Sequence, residues 1–317
     1  FSPLSFRAGL RYNELVCLIR FFNEKEEMFM IIMSSNQWKC DRNCPDWAAR
    51  GEDCSAEGRV GGLARAYQLV TPDILGIQEA SVHMTNLLMQ RMVSYEHEGQ
   101  SVHYELITGG DTPILYRDDK LLLVESGFFR YDESIPGLEG SFNNVGTKSY
   151  TYGVFEEKAT GRRIALMSTH LWWMSSDPAS REYQPHSDEA RAYQIRLALK
   201  RLEEVTAQHH CPGVLVGDLN AVMDSPCLRA AHELGWNDAH DCAHGRRSDT
   251  RPSSLLCRRL QPAGRGRVRA GHRPHSGEGR QCDRRGRLSA RGRHLVRLHL
   301  GSLSRVYDAG VCRVRRG

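Results

Sequence analysis

The chain has 317 residues, 40% of them hydrophobic and 26% charged, with a formal net charge of +5. That length suits one large domain or two ordinary ones and leaves ample chain to bury a core. The +5 averages two unlike segments. Residues 245–317 hold 20 Arg and no Lys against four acids, a balance of +16, whereas residues 1–244 carry 23 basic and 34 acidic residues, a balance of −11. A uniformly basic protein is excluded, and the acidic body argues against tight, sequence-independent DNA binding. The sequence has no run of 18 apolar residues, which argues against a transmembrane helix.

The chain opens at Phe1 rather than Met, as a fragment, a processed product or a misassigned start would. Residues 15–22 are the most apolar part of this region, but Arg20 interrupts them and acids follow in 23–27. A signal peptide wants a longer unbroken apolar core and a small-residue cleavage site. Residues 1–27 are therefore expected to be an extension outside the fold, and a cytoplasmic location is the default, with secretion left open. The ten Cys form no short-period disulfide framework. Cys40, Cys44 and Cys54 lie close together in a polar loop and could hold a metal, but their irregular spacing comes with no clear fourth ligand.

In chain order, residues 30–34 (MIIMS) form a short apolar run ending at small polar residues, the pattern of a buried strand. A polar loop follows through Asp53, and residues 58–70 (GRVGGLARAYQLV) predict a helix stopped by Thr71-Pro72. Residues 73–78 (DILGIQ) predict a second buried strand ending at Glu79, and residues 81–92 carry a helical pattern with Leu87, Leu88 and Met92. Residues 104–107, 112–116 and 120–129 predict strands joined by Gly-Asp and Asp-Asp turns. Residues 150–156 and 163–168 predict a hairpin around Gly161, whose second strand runs into Thr169-His170-Leu171. Ser187 is a candidate N-cap, with Asp188 and Glu189 in the first turn where the helix dipole favours acids. That helix runs to about Gln208, with Ile195, Ala198, Leu202 and Val205 on one face. Residues 213–216 (GVLV) predict a strand ending at Gly217-Asp218-Leu219-Asn220. Strands and helices in mixed order, with hairpins, predict an α/β sandwich of the α+β type rather than a doubly wound parallel sheet.

Four strands thus end in polar residues: Asn36, Glu79, His170, and Asp218 with Asn220. Sites are commonly built on loops at one edge of a sheet. Glu79 is a hard oxygen ligand of the kind Mg²⁺ prefers, and Asn36 supplies a neutral carbonyl oxygen beside it. On an extended segment Asp218 and Asn220 point to the same face, where an acceptor and an amide could orient a water and hold a phosphate oxygen. Taken singly, each has a plain structural reading: a solvated Glu, a hydrogen-bonded His, a Gly-Asp-Leu-Asn turn. Trp172 and Trp173 could stack on a base or sugar, or else one is core and the other packs under the loop of residues 172–185.

The ordered set Met33-Ser34-Ser35-Asn36, Pro72-Asp73-Ile74-Leu75-Gly76-Ile77-Gln78-Glu79, Ser168-Thr169-His170-Leu171 and Gly217-Asp218-Leu219-Asn220 resembles the endonuclease/exonuclease/phosphatase superfamily. The resemblance covers residues 28–241. It implies a DNase I-like, four-layer α/β/β/α sandwich, with the domain spanning 28–244. It also implies Mg²⁺-dependent hydrolysis of phosphodiester or phosphomonoester bonds, with Mn²⁺ as the alternative ion. Asn36 and Glu79 are then expected at the metal site and His170 on the scissile phosphate. Asp218 is expected to orient the attacking water and Asn220 to bind a phosphate oxygen; Arg191 and Gln194 receive no role. The implied partner is a phosphate-ester substrate, nucleic acid among the candidates, bound by a monomer without a membrane span.

Members of that superfamily end in two further motifs, an Ile-Asp-His and a terminal Ser-Asp-His, and this sequence has neither. Residues 245–317 have no sustained strand or helix period. One reading is an Arg-rich disordered tail that grips phosphates, which would make the chain a non-catalytic nucleic-acid-binding protein. The other is a reading-frame slip between residues 245 and 261. Back-translating residues 270–280 and reading one nucleotide later permits Arg-Ala-Ile-Asp-His-Ile-Leu-Val-Lys-Gly. Residues 300–308 permit Ser-Asp-His-Phe-Pro-Val-Phe-Met in the same frame. On this reading the last strands are missing and catalysis by the chain is impaired.

Overall fold

The computed structural model describes residues 30–131, 135, 137, 138, 148–222 and 224–238 in full, and the backbone of five further strand segments. In chain order the strands and helices begin with β1 (Cys17–Asn23), β2 (Ile31–Asn36), α1 (Pro45–Ala48), α2 (Ala56–Val70), β3 (Ile74–Gln78) and α3 (Val82–Met92). Next come β4 (Ser94–His97), β5 (Gln100–Ile107), β6 (Ile114–Arg117), β7 (Leu121–Arg130), β8 (Ser149–Glu157) and β9 (Arg163–His170). Then follow α4 (Ser187–His209), β10 (Gly213–Asp218), α5 (Pro226–Glu233) and β11 (Asn237–Asp238). The last are β12 (Leu255–Arg258), β13 (His294–Ser302), β14 (Arg305–Tyr307) and β15 (Val311–Val314).

These strands make two sheets. One has the order β14-β13-β1-β2-β3-β6-β5-β4, with β15 also on β13, and the other has the order β11-β12-β10-β9-β8-β7. Each sheet holds one parallel pair, β2 with β3 and β9 with β10, among otherwise antiparallel pairings of the described strands. Parallel neighbours need a long crossover, and α2 and α4 supply it. In both pairs the C-terminal ends are in register: Asn36 lies opposite Gln78, and Asp218 opposite His170. This register brings four polar strand ends to two neighbouring points.

The helices cover the outer faces. Val60, Leu63 and Tyr67 of α2 and Met84, Leu88 and Met92 of α3 pack on Met33, Leu75 and Ile77. On the second sheet Ile195, Leu199 and Leu202 of α4 and Leu228 and Ala231 of α5 pack on Met167 and Leu215. The result is an α/β/β/α sandwich. Helix starts follow ordinary capping: Ser55, Ser81 and Ser225 each accept a backbone N–H three residues on. Ser187 departs from its expected role. It is the first residue of α4, its hydroxyl donates to the Gln184 carbonyl, and His186 is the N-cap in left-handed backbone. Asp188 and Glu189 do occupy the first turn.

Three elements lie in stretches without a periodic signal. Helix α1 interrupts the polar loop, β4 pairs with β5, and α5 follows the Asn220 turn. Residues 17–23, read as part of an extension outside the fold, pair antiparallel with β2, and β13 from the Arg-rich segment pairs with β1. An inner strand of a sheet exposes backbone donors and acceptors on both sides, and any strand-competent neighbour satisfies them. β12 likewise lies against β10. Most of the Arg-rich segment, residues 264–269 and 284–287 included, falls outside the described residues.

The sheets meet closely. Gly76 of β3 faces β10 and β9, and a Cβ there would sit 2.4 Å from Val216 Cγ2 and 3.2 Å from Ser168 Cβ. Tyr116 and Phe155 close the same interface, with ring centroids 5.2 Å apart. Gly76→Ala is therefore expected to overpack it and cost about 1–3 kcal/mol. Urea unfolding should show a lower midpoint at unchanged slope. An unchanged midpoint would contradict the close sheet contact.

Candidate active site

Asn36 leaves the end of β2 and bridges the two sheets. Its Nδ2 donates to Glu79 Oε1 at 2.9 Å and to Asp218 Oδ2 at 2.8 Å. Its Oδ1 accepts the Trp38 backbone N–H at 2.8 Å. Glu79 Oε2 accepts from the Lys39 N–H at 3.1 Å. Glu79 stands just past β3 with φ +55°, and Trp38 and Asn220 are also left-handed, at φ +50° and +47°. Such backbone costs about 1–3 kcal/mol per residue and collects at functional sites.

Asp218 ends β10 directly after Gly217. A Cβ at Gly217 would lie 2.0 Å from the Thr169 carbonyl oxygen, so only glycine lets β10 pass β9 here. Asp218 Oδ1 accepts the Asn220 N–H at 2.9 Å, and Asn220 Nδ2 donates to the Leu171 carbonyl at 3.1 Å. The expectation that Asp218 and Asn220 share a face of an extended segment is thereby corrected. The strand stops at Asp218, and the carboxylate folds the next residues into a turn.

His170 ends β9 and is buried. Its Nδ1 lies 2.9 Å from Asp111 Oδ2, its Nε2 lies 2.5 Å from Lys148 Nζ, and Glu79 Oε1 is 3.7 Å from the same Nε2. An ammonium can only donate, so Nε2 accepts and Nδ1 carries the proton that Asp111 receives. Ser149 Oγ donates to Asp111 Oδ1 at 2.8 Å and fixes that carboxylate in turn. Burial lowers Lys148 to about 8, against the opposing pull of Asp111, Asp218 and Glu79.

The sequence-named residues Asn36, Glu79, His170 and Asp218 thus come together in one hydrogen-bonded group, with Asn220 attached through its backbone. Asp111 and Lys148 were missed. Asp111 lies in a Gly109-Gly110-Asp111-Thr112 link that reads as an ordinary turn. The two glycines were the available signal, because a Cβ at Gly109 would lie 1.9 Å from Thr151 Oγ1. Lys148 follows a segment without periodicity and carried no signal.

Glu79, His170 and Asp218 each offer a donor atom within 4.8 Å of the others. Both ring nitrogens of His170 are engaged, which leaves two carboxylates with room for waters. That hard-oxygen set suits Mg²⁺ or Mn²⁺. The amide oxygen of Asn36, expected beside the metal, is held by Trp38 instead. Nearby, Trp172 is buried with Nε1 on Gln184 Oε1, while Trp173 is 46% exposed. Arg191 donates to the Trp172 and Met174 carbonyls, and Gln194 Oε1 accepts the Trp172 N–H, so both hold this loop in place.

No family model matches the sequence, and no curated protein matches it. Solved structures do resemble its fold. An endonuclease/exonuclease/phosphatase family protein from Bacteroides thetaiotaomicron aligns at 19% identity over 77% of this chain and 83% of its own, with a TM-score of 0.55. A mannosyl-6-phosphatase from the same species aligns at 19% identity over 71% and 84%, with a TM-score of 0.53. An endonuclease/exonuclease/phosphatase from Bacteroides vulgatus aligns at 20% identity over 66% and 73%, with a TM-score of 0.50. The chain has the DNase I-like fold that these endonuclease/exonuclease/phosphatase proteins share.

The Asp111–His170–Lys148 chain fixes one imidazole tautomer. Nitrogen-15 NMR is expected to show the Nδ1–H tautomer of His170, a state lost in Asp111→Ala. An Nε2–H tautomer in the unsubstituted protein would contradict the assignment.

Proposed function

We propose that the chain carries most of a phosphoesterase site, built to hydrolyse a phosphodiester or phosphomonoester by in-line attack of water on phosphorus. The observation that carries this reading is the pairing of two carboxylates, Glu79 and Asp218, with a buried ammonium and imidazole at the same strand ends. Carboxylates suit a divalent cation, and the buried ammonium suits the anionic oxygens of a phosphate. Glu79 and Asp218 would hold Mg²⁺ or Mn²⁺, which when bound supplies charge neutralisation at a phosphate oxygen.

The chain's own residues define the remaining roles. Lys148 faces the centre of the group, where its ammonium can turn from His170 Nε2 to a phosphate oxygen. Asp111 keeps the imidazole oriented through Nδ1. Asp218 Oδ2 is the acceptor that orients a water once Asn36 turns its amide away. Asn220 joins the phosphate only by releasing the Leu171 carbonyl. Mannosyl-6-phosphatase activity belongs to a protein of like fold; here it supports a phosphate ester as the substrate class.

Activity of the chain as it stands is impaired on this reading, because the sequence lacks the terminal Asp-His pair. The supporting observation is that both superfamily motifs can be spelled in one alternative frame, in order. The test compares this chain with one whose frame is restored after residue 245, on p-nitrophenyl and bis-p-nitrophenyl phosphate with Mg²⁺. The restored chain should be about 100-fold or more faster, the size of a general acid–base contribution. Glu79→Ala in that chain should abolish the gain. Equal rates would contradict impairment, and an inert restored chain would contradict the phosphoesterase reading.

A pH profile follows from Lys148. With its pKa lowered to about 8, the ammonium is present below that pH and is lost above it. The rate of the active chain is expected to fall as pH rises through about 8. Lys148→Arg should move the limb upward, because a guanidinium keeps its charge. A profile without that limb would remove Lys148 from phosphate binding.

A further inference from the structure

Between β2 and α2 the chain makes a polar loop with little core of its own. Its short helix α1 buries no residue, and Trp38 and Trp47 pack on each other at the surface with centroids 5.8 Å apart. A loop of this length inside a compact fold needs some other restraint. Three cysteines converge at its base. Cys40 Sγ lies 3.6 Å from Cys44 Sγ and 3.6 Å from Cys54 Sγ, and all three sulfurs lie within 4.8 Å of one another.

We propose that Cys40, Cys44 and Cys54 form a soft-metal site that takes Zn²⁺ through three thiolates and pins this loop over the candidate active site. The sulfur spacing argues for a shared ion. Zn–S bonds of about 2.3 Å in a tetrahedron put sulfurs about 3.8 Å apart, whereas a disulfide brings them to about 2.0 Å. The thiols are free and match the former. The surroundings suit thiolates as well. The Cys44 N–H points at Cys54 Sγ from 3.2 Å, the kind of supporting hydrogen bond that orients metal ligands.

A zinc ion on three thiolates keeps one net negative charge, and a cation stands beside it. The Arg59 guanidinium donates to the carbonyls of Cys54 at 2.7 Å, Cys40 at 3.0 Å and Trp38 at 3.0 Å, and also to that of Gln37. Among the described residues no fourth His, Cys, Asp or Glu atom joins the cluster. Cys40 and Cys44 are half-buried, so the fourth position faces solvent and takes a water.

The clip is one residue from the candidate site. Lys39, just before Cys40, gives its N–H to Glu79, and Trp38 gives its own to Asn36. Fixing Cys40 to Cys54 therefore fixes the backbone that orients both side chains. Unlike the carboxylate pair, this donor set selects soft ions. The sequence already grouped these three cysteines, and the turn after α1 is what returns Cys54 to the other two.

The test uses the full chain, purified under reducing, chelator-free conditions, with zinc and cobalt as probes. Elemental analysis should find about one zinc per chain, since three thiolates hold the ion tightly enough to survive purification. Cobalt exchange should give a thiolate-to-metal charge-transfer band. Cys40→Ser and Cys54→Ser should each weaken zinc binding by about tenfold or more, while circular dichroism confirms that they fold. Glu79→Gln should keep the charge-transfer band, which separates this ion from any at the carboxylates. Zinc retention no greater than in Cys40→Ser would overturn the proposal. So would cobalt binding without the thiolate band, or a Cys40 disulfide in anaerobically prepared protein.

Discussion

Everything at the candidate site depends on how β3 is tied to β9 across the sandwich. Ser168 Oγ of β9 donates to the Ile77 carbonyl at 3.0 Å and accepts from Gln78 Nε2 at 3.1 Å. Ser34 Oγ of β2 donates to Gln78 Oε1 at 3.2 Å, so the amide of Gln78 is satisfied at both ends. These groups are buried, and a buried polar network that is fully paired specifies one arrangement of its parts. Sliding one sheet by a residue would leave an unpaired amide in an apolar interface, at a cost of about 1–3 kcal/mol per group. The bridge therefore fixes which residue of one sheet faces which residue of the other.

From that register the site follows without further adjustment. The strand after Ser168 runs two residues to His170, the strand before Glu79 ends at Gln78, and both parallel pairs stop at the same level. The left-handed backbone at Trp38, Glu79 and Asn220 is the local cost of the sharp turns that follow these strand ends. Asn36 then spans the carboxylates of both sheets. With Asp111 behind His170 and Lys148 at its Nε2, the arrangement places an ammonium, an imidazole and three carboxylates in a small, mostly buried space. Such a space is poor packing, and the phosphoesterase proposal rests on it.

Much of this was legible in the sequence. The buried strands ending in Asn36, Glu79, His170 and Asp218 were visible because a parallel, doubly covered strand is a continuous apolar run and its polar end stands out. Helices α2, α3 and α4 were visible from periodicity. What stayed hidden depends on contacts between distant segments. Asp111 sits in a glycine link whose tight fit against Thr151 is a tertiary fact, and Lys148 gains its meaning only beside His170. The Asn220 turn was misread as extended because Asp218 uses its own carboxylate to bend the chain. The pairing of β1 with β2 depends on an open sheet edge that a linear pattern does not reveal.

The central claim is that Glu79 and Asp218, at these strand ends, hold one divalent cation. The most direct measurement is paramagnetic broadening of the NMR spectrum by Mn²⁺, which separates this hard-oxygen centre from the thiolates. The account predicts broadening centred on Asn36, Glu79, His170 and Asp218, removed by Glu79→Gln. Broadening confined to other carboxylates, such as Glu203 and Glu204 on α4, or none at all, would contradict it.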